Sequence, residues 1–561
     1  MKKLITVLLF FTTLGVFGQS SPNLPVVIPP TPQAAAYARY GEIPVGHTTG
    51  VPQIDIPIYT LSTGKIDIPI SISYHAAGFR VDDISSPVGL GWVLNAGGVI
   101  TRSIEGLADF ERPFNDPDPT HTFSTLRIPL KTKEAVDSAK AGTLLLFNNI
   151  VNLGHYSHWD EWDALFLQQR HYYDTRSDRY YYNFLDKSGT ARYDVYTDEL
   201  KTIPYDPLKL NRISDTKYEV TDTKGIKYEF AETDTTFIQG NGAKITGWYL
   251  TKIIYPGMET DPVIFTYKRG PSYWNYHVTQ LSYSLSHSIP VGMGVSGLPE
   301  SGTYNYIQNS DMYYQSPLLT TISWRNVTIS FNYDATTRLD HYNPNGSGKK
   351  LERLTGIIIK HGTTIIKQVT LDNNHYFGDN YKNYRMKLES IKFKGNSGQI
   401  AEEYSFGYNN VLGLPQYKMY DIACHEDYWG YWNGTSSQPS AYFPTVFADQ
   451  LSSYGGNAIN QHGKWYVWNT NRDPSEYYTK ACILNKISYP TKGGTEFEYE
   501  INNPNNGENV GGLRLKKRIN YSNATTITDT KEYEYSGYAT EAINVNMFTN
   551  PAHYIHTYVS R

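Results

Sequence analysis

Ile54-Asp55-Ile56-Pro57-Ile58 is followed, beyond Ser62-Thr63-Gly64, by Ile66-Asp67-Ile68-Pro69-Ile70-Ser71-Ile72-Ser73-Tyr74. Every second residue is apolar, and every intervening one is polar or proline. Successive strand side chains point to opposite faces, so a period of two predicts two strands with one buried face each. Ser62-Thr63-Gly64 has turn composition, and the stretch reads as a β-hairpin. Pro57 and Pro69 fall on the polar parity. Proline has no N–H to give a ladder, so both are expected at edges or between paired sites.

The same grammar recurs. Ile226, Tyr228 and Phe230 alternate after Asp222-Thr223-Lys224-Gly225, and Val263, Phe265 and Tyr267 follow Pro256-Gly257. Val327, Ile329, Phe331 and Tyr333 form another run. Ile391 and Phe393 lead into Gly395-Asn396-Ser397-Gly398, with Tyr404, Phe406 and Tyr408 beyond it. Composition points the same way: 49 Tyr, 45 Gly and 30 Pro in 561 residues favour strands and turns. The single helix predicted covers residues 132–141, with Thr132 as its cap. The expected fold is all-β: several antiparallel β-sandwich or curved-sheet modules of short Tyr-rich strands, with little helix.

Charge removes some classes of function. Lys and Arg number 50 against 54 Asp and Glu, a net charge of −4, without the basic surplus of a nucleic-acid binder. With 40% hydrophobic and 19% charged residues, the chain is not a disordered polyelectrolyte.

Lys2 and Lys3 precede an apolar run over residues 4–17 that ends at Val16-Phe17-Gly18. Residues 1–18 read as a signal peptide, cut between Gly18 and Gln19. The run is too short to span a bilayer, and no later stretch is long and apolar enough. The mature chain is therefore expected to be exported (periplasmic, cell-surface or extracellular) without a transmembrane segment. Residues 19–36 carry Pro22, Pro25, Pro29, Pro30 and Pro32 and read as an extended linker. The remainder is expected to divide into an N-terminal β domain (37–200), a middle β-sheet region (201–410) and a C-terminal β region (411–561).

Three segments of the N-terminal domain carry a resemblance. They are Thr49-Gly50-Val51-Pro52-Gln53-Ile54-Asp55-Ile56-Pro57, Ile68-Pro69-Ile70-Ser71-Ile72-Ser73-Tyr74-His75, and Val88-Gly89-Leu90-Gly91-Trp92-Val93-Leu94-Asn95-Ala96-Gly97-Gly98-Val99. Asp427-Tyr428-Trp429-Gly430-Tyr431-Trp432-Asn433-Gly434 and Gly511-Gly512-Leu513-Arg514-Leu515-Lys516-Lys517 extend it into the C-terminal region. Together they resemble the N-terminal region of the Rhs/YD-repeat proteins of Bacteroidetes. A related segment opens the B components of insecticidal toxin complexes and a Salmonella plasmid virulence protein. The resemblance implies a secreted, shell-like β scaffold whose N-terminal region is structural. The family's long repeat array and C-terminal toxin have no recognisable counterpart before Arg561.

The glycine-rich motif fits that role. Gly89, Gly91, Gly97 and Gly98 surround Trp92 and Leu94, and glycines let chains approach closely around a large apolar ring. A phosphate cradle would need the loop to open a helix and a Lys or Ser/Thr at its end, whereas Val99-Ile100-Thr101 reads as a strand. In the C-terminal motif, which includes Gly430, Asp427 is expected to accept turn amides, with Trp429 and Trp432 filling the adjacent core.

Other clusters lack the spacing that chemistry demands. His155 and His158 are three apart, with no third histidine ligand fixed nearby. Cys424 and His425 are neighbours on an extended chain and point to opposite faces. Asn115-Asp116-Pro117-Asp118 lacks the glycine of a calcium loop. No catalytic, cofactor-binding or metal-ligating residue is expected, and no cofactor. Cys424 and Cys482 allow one intramolecular pairing; a disulfide and two free thiols both remain open. The expected function is non-catalytic: a secreted structural protein that scaffolds or assembles with other exported or cell-surface proteins. The alternative is a carbohydrate-binding adhesin that stacks glycans on Trp159, Trp162 or Trp432, and behind it a glycosidase-type enzyme.

Overall fold

A computed structural model describes residues 43, 45–46, 49–104, 178–194, 199–238, 242–284, 303–336, 338–340, 351–396, 398–417, 424–437, 445–447, 458–461, 464–467, 472–503, 509–523 and 526–535. Two compact units are delimited, Met1–Pro44 and Val45–Arg561, and every element below belongs to the second. The signal peptide with its Gly18–Gln19 cut, the linker, the helix expected over 132–141 and both histidines of the 155–158 cluster lie outside the described residues.

The opening hairpin is β1 (Gln53–Ser62) and β2 (Asp67–His75), and β3 (Trp92–Asn95) extends it to a three-stranded antiparallel sheet. Ile54, Ile56 and Ile58 of β1 and Ile68, Ile70, Ile72 and Tyr74 of β2 are buried. A bulge between Pro57 and Tyr59 shifts the buried parity, so Leu61 points inward after Ile58. Lys367 Nζ donates to the Ile58 carbonyl at 2.8 Å and covers the bulge.

Eight strands then follow one another around a closed ring. They are β4 (Gly98–Ser103), β5 (Arg179–Phe184), β6 (Lys187–Asp194), β7 (Glu199–Ile203), β8 (Lys209–Ser214), β9 (Lys217–Thr221), β10 (Lys227–Ile238) and β11 (Gly242–Ile254). The ring closes where Gly247, Trp248 and Tyr249 of β11 pair with Thr101, Ile100 and Val99 of β4. A barrel of this size is filled by its own side chains. Here the filling is aromatic: Phe184 lies 4.8 Å from Tyr228 and 5.4 Å from Phe230, and Tyr218 lies 4.6 Å from Trp248, ring centre to ring centre. Arg102 also points inward, and its guanidinium donates to the Ile245 carbonyl at 2.6 Å beside buried Asp178.

The chain leaves the barrel through β12 (Val263–Arg269), β13 (Tyr273–Ser284), β14 (Thr303–Gln315), β15 (Pro317–Trp324), β16 (Val327–Asp334), β17 (Arg353–His361) and β18 (Thr364–Asp372). Next come β19 (His375–Phe377), β20 (Arg385–Lys387), β21 (Ser390–Lys394), β22 (Ile400–Tyr408), β23 (Cys424–Glu426), β24 (Trp432–Ser437), β25 (Thr445–Phe447), β26 (Ala458–Gln461) and β27 (Lys464–Val467). A four-residue helix α1 (Glu476–Thr479) precedes β28 (Leu484–Ser488), β29 (Gly494–Asn502), β30 (Val510–Tyr521) and β31 (Ile527–Glu532).

From β11 a long antiparallel strip runs β12-β15-β16-β17-β18-β21-β22-β28-β29-β30-β31. Small antiparallel pairings β19–β20, β23–β24 and β25–β27–β26 stand apart from it. The fold is all-β, with antiparallel pairing throughout. Leu200 pairs with Leu210, and Tyr408 with Leu484. Among the described residues no helix is long and apolar enough to cross a membrane.

Candidate functional site

Residues 76–91 connect β2 to β3 as a strap without regular structure, and the glycine-rich motif is its end. Trp92 is fully buried. Its indole Nε1 donates to Tyr408 Oη at 2.8 Å, and its ring lies 5.0 Å from Tyr74 and 4.5 Å from Phe406. Gly91 makes this possible. Its φ is +76°, and a Cβ there would sit 2.6 Å from the Tyr74 ring and 2.9 Å from Phe79. Gly97 lies over the Phe265 ring, Gly98 against Phe184, and Gly89 against the Leu388 backbone.

Buried polar side chains from β20 and from the connections that follow β16 and β18 hold the strap. Arg338 pairs with Asp340 at 2.6 Å and also donates to the carbonyls of Ser85 and Glu352. Arg385 donates to the Val81 carbonyl at 2.7 Å and stacks over Tyr417. Asn373 Nδ2 donates to Val88 and Leu354 carbonyls at 3.1 and 3.0 Å. A strap of irregular backbone carries polar groups that a core will not tolerate unpaired, and these three side chains satisfy them. None of the three was singled out in the sequence, because each acts on a partner hundreds of positions away: 253 for Arg338 with Ser85, 304 for Arg385 with Val81.

Beside the strap is a cleft of about 670 Å³. Its walls include Pro87, Val88, the segment 93–99, Phe184, Tyr267 and Leu318. Among the described residues that line it, Asp55 is the one carboxylate and there is no Lys, Arg or His.

The second motif forms a turn between β23 and β24 that docks on the strap. Asp427 is fully buried; its Oδ1 accepts the amides of Trp429 and Tyr431 at 2.8 and 3.0 Å. Its Oδ2 takes no hydrogen bond, and burial pushes the carboxyl up from its ordinary 3.8 to about 6. Gly430 takes φ +92°, and its carbonyl accepts from Val81 N at 3.0 Å. Trp429 packs on Gly511, where a Cβ would come within 2.6 Å of it. Trp432 is half-buried with its ring 4.9 Å from Tyr478, so one of the three tryptophans considered for glycan stacking is packed on a tyrosine. Trp159 and Trp162 lie outside the described residues. Cys482 carries a free, buried thiol whose pKa burial pushes up to about 12; the Cys424 side chain lies outside the described residues. Among the described residues no group of three or more His, Cys, Asp or Glu is placed to hold a metal ion.

The remaining feature is an open ribbon. β13 pairs with β14 from Tyr273–Tyr314 to Ser284–Thr303, and β14 meets β10 only over Met312–Gln315. Over 276–284 and 303–311 no ladder joins either outer edge of this hairpin to another strand among the described residues, although β25 lies against β14. β13 reads Tyr-Trp-Asn-Tyr-His-Val-Thr-Gln-Leu-Ser-Tyr-Ser, with no Lys, Arg, Asp, Glu or Pro.

No protein-family model matches this chain, and no curated protein matches it. Several solved structures are similar to it, among them the three that follow. The N-terminal domain of the effector protein SpvB from Salmonella typhimurium strain LT2 aligns with 12% identity over 61% of this chain and 98% of its own, with a TM-score of 0.28. TcdB2-TccC3 aligns with 10% identity over 85% of this chain and 21% of its own, with a TM-score of 0.29. A Tc holotoxin pore of Photorhabdus luminescens aligns with 10% identity over 89% of this chain and 19% of its own, again at 0.29.

Proposed function

We propose that this chain is a non-catalytic structural protein of the Rhs/YD-repeat type. It is exported and assembles with other exported or cell-surface proteins through open strand edges. The observation that carries the reading is the β13–β14 ribbon. An unpaired edge presents a row of N–H and C=O groups ready to join another strand. Soluble proteins usually blunt such edges with charge, proline or a bulge, and β13 has neither charge nor proline over its 12 residues. Its pairing with β14 also runs without a register shift. A two-stranded ribbon is marginal alone in water, so a third strand from a partner would add most here. The order of the sequence motifs supports the same reading.

The test is a quantitative affinity capture from the source cells with the full chain and with edge-blocked variants. Thr279→Pro and Gln280→Pro form a pair: the N–H groups of adjacent residues point to opposite edges, so one of the two blocks the open edge. Stoichiometric recovery of an exported protein by the parent, and its loss with one proline variant, is the expected result. Recovery unchanged by both variants, or binding to a glycan array with no protein partner, overturns the reading.

A further inference from the structure

The open edge of β3 leads into the cleft, independently of the ribbon. Trp92 turns its backbone away from β2: its N–H donates to the Gly89 carbonyl at 3.2 Å, and its C=O accepts from Ser86 Oγ. On the other side, His75 N donates to the Gly91 carbonyl at 3.0 Å, so the residues flanking Trp92 face β2. In an antiparallel ladder the facing alternates, and Leu94, two positions on, presents its N–H and C=O to the same outer edge as Trp92. The strap runs antiparallel along that edge only as far as the Gly89–Trp92 bridge. Its Pro87 has no N–H, and the Pro87 carbonyl is taken by Leu354 N at 2.7 Å. On the edge of Leu94 that faces away from β2 no strand is paired among the described residues, and Leu94 lines the cleft.

We infer that the cleft is a binding site for an extended polypeptide segment, neutral or basic, that adds as a strand to β3 at Leu94. The backbone pair at Leu94 asks for a ligand with a matching N–H and C=O at strand spacing, which a peptide supplies. Pro87, Val88 and Leu318 offer apolar wall to its side chains, and about 670 Å³ lies within the size of sites that enclose a ligand. Charge sets the sign of the partner. Asp55 is the one charged residue among the described residues lining the cleft, so an acidic segment meets repulsion that no cation offsets, and a Lys or Arg is favoured.

The test pans random dodecapeptides displayed on phage against the full chain. Two variants at exposed positions leave the core alone: Val93→Trp fills the cleft, and Asp55→Lys reverses its charge. An enriched peptide is then synthesised with a single backbone N-methyl group at each position in turn. The expected result is enrichment rich in Lys or Arg and poor in Asp and Glu. Binding should fall with both variants, and by about tenfold at one or two N-methyl positions, the size of one lost hydrogen bond. No enrichment over Val93→Trp overturns the site. An N-methyl scan that is flat throughout overturns strand addition, and selection of acidic peptides overturns the charge assignment. Because none of these probes touches β13, failure here leaves the ribbon reading separately testable.

Discussion

Trp92 Nε1 and Tyr408 Oη meet at 2.8 Å across 316 positions of chain, and the phenol O–H in turn donates a hydrogen bond to the Leu388 carbonyl at 2.5 Å. Burial holds the Tyr408 hydroxyl far above its usual pKa, so it stays protonated and can accept from the indole while donating onward. Tyr408→Phe keeps the ring and removes both bonds, which leaves a buried N–H and a buried C=O unpaired. The expected loss is about 1–3 kcal/mol per orphaned group, read as a lowered midpoint in urea with an unchanged slope. A Phe variant as stable as the parent would show that water reaches this pair.

Gly91 and Gly64 separate conformational cost from steric cost. Both take φ +76°, but a Cβ at Gly64 has nothing within 4 Å, whereas at Gly91 it would overlap Tyr74 and Phe79. Gly64→Ala is expected to cost about 1–2 kcal/mol, the penalty of the left-handed region for an ordinary residue. Gly91→Ala adds a clash with two core rings and should cost about 1–3 kcal/mol more. Equal midpoints for the two variants in parallel denaturation curves would refute the idea that the motif needs glycine for packing.

Asp427 should give the protein an unusual pH profile. Its folded pKa lies near 6 against an ordinary 3.8, chiefly because burial disfavours the charged form. A folded pKa above the unfolded one contributes stability that is complete below about pH 4 and is lost as pH rises through about 6. That displacement corresponds to about 3 kcal/mol over the window. Asp427→Asn copies the neutral form and still offers an oxygen to the amides of Trp429 and Tyr431. Subtracting its stability curve from that of the parent, between pH 4 and 7, isolates the effect. A difference that does not change with pH would sink the assignment.

How far the sequence could be read depended on whether the deciding contact is local. The hairpin of β1 and β2 was legible because Ile54 to Tyr74 alternate cleanly and one short turn sets the register. Both prolines lie where the ladder asks no N–H of them. Ile54 and Ile56 pair with Tyr74 and Ile72, so their backbones face β2 and that of Pro57 faces the open edge; Pro69 lies beyond the stretch of β2 that meets β3. By contrast, β5 reads Arg-Tyr-Tyr-Tyr-Asn-Phe, where an exposed Tyr181 between buried Tyr180 and Tyr182 hides the alternation. The closure of β4 on β11 and the pairing of β22 with β28 skip over long stretches of chain. No local period records such a partner. The cleft was missed for the same reason, since its walls come from β3, β5, β12 and β15.

Arg338 and Asp340 are the sharpest test of the strap. Both are nearly inaccessible, the guanidinium binds both carboxylate oxygens at 2.6 and 3.1 Å, and one of those oxygens also accepts from Met386 N. Removing one partner of a buried pair strands the other charge, so Asp340→Ala is expected to cost about 3–5 kcal/mol. Arg338→Met removes the same pair and also deprives the Ser85 and Glu352 carbonyls of their donor, so its cost should be similar. Once Arg338 is gone, replacing Asp340 no longer exposes a cation. The double variant Arg338→Met with Asp340→Leu should therefore be destabilised by clearly less than the sum of the single changes. Urea denaturation of all four proteins in a double-mutant cycle measures this coupling. Proteolysis reports where the loss falls, because a released strap exposes residues 76–91 to cleavage before the barrel opens. Strict additivity, with no early cut in the strap, would mean that the strip and the strap are held together by apolar packing around Trp92 and not by this ion pair.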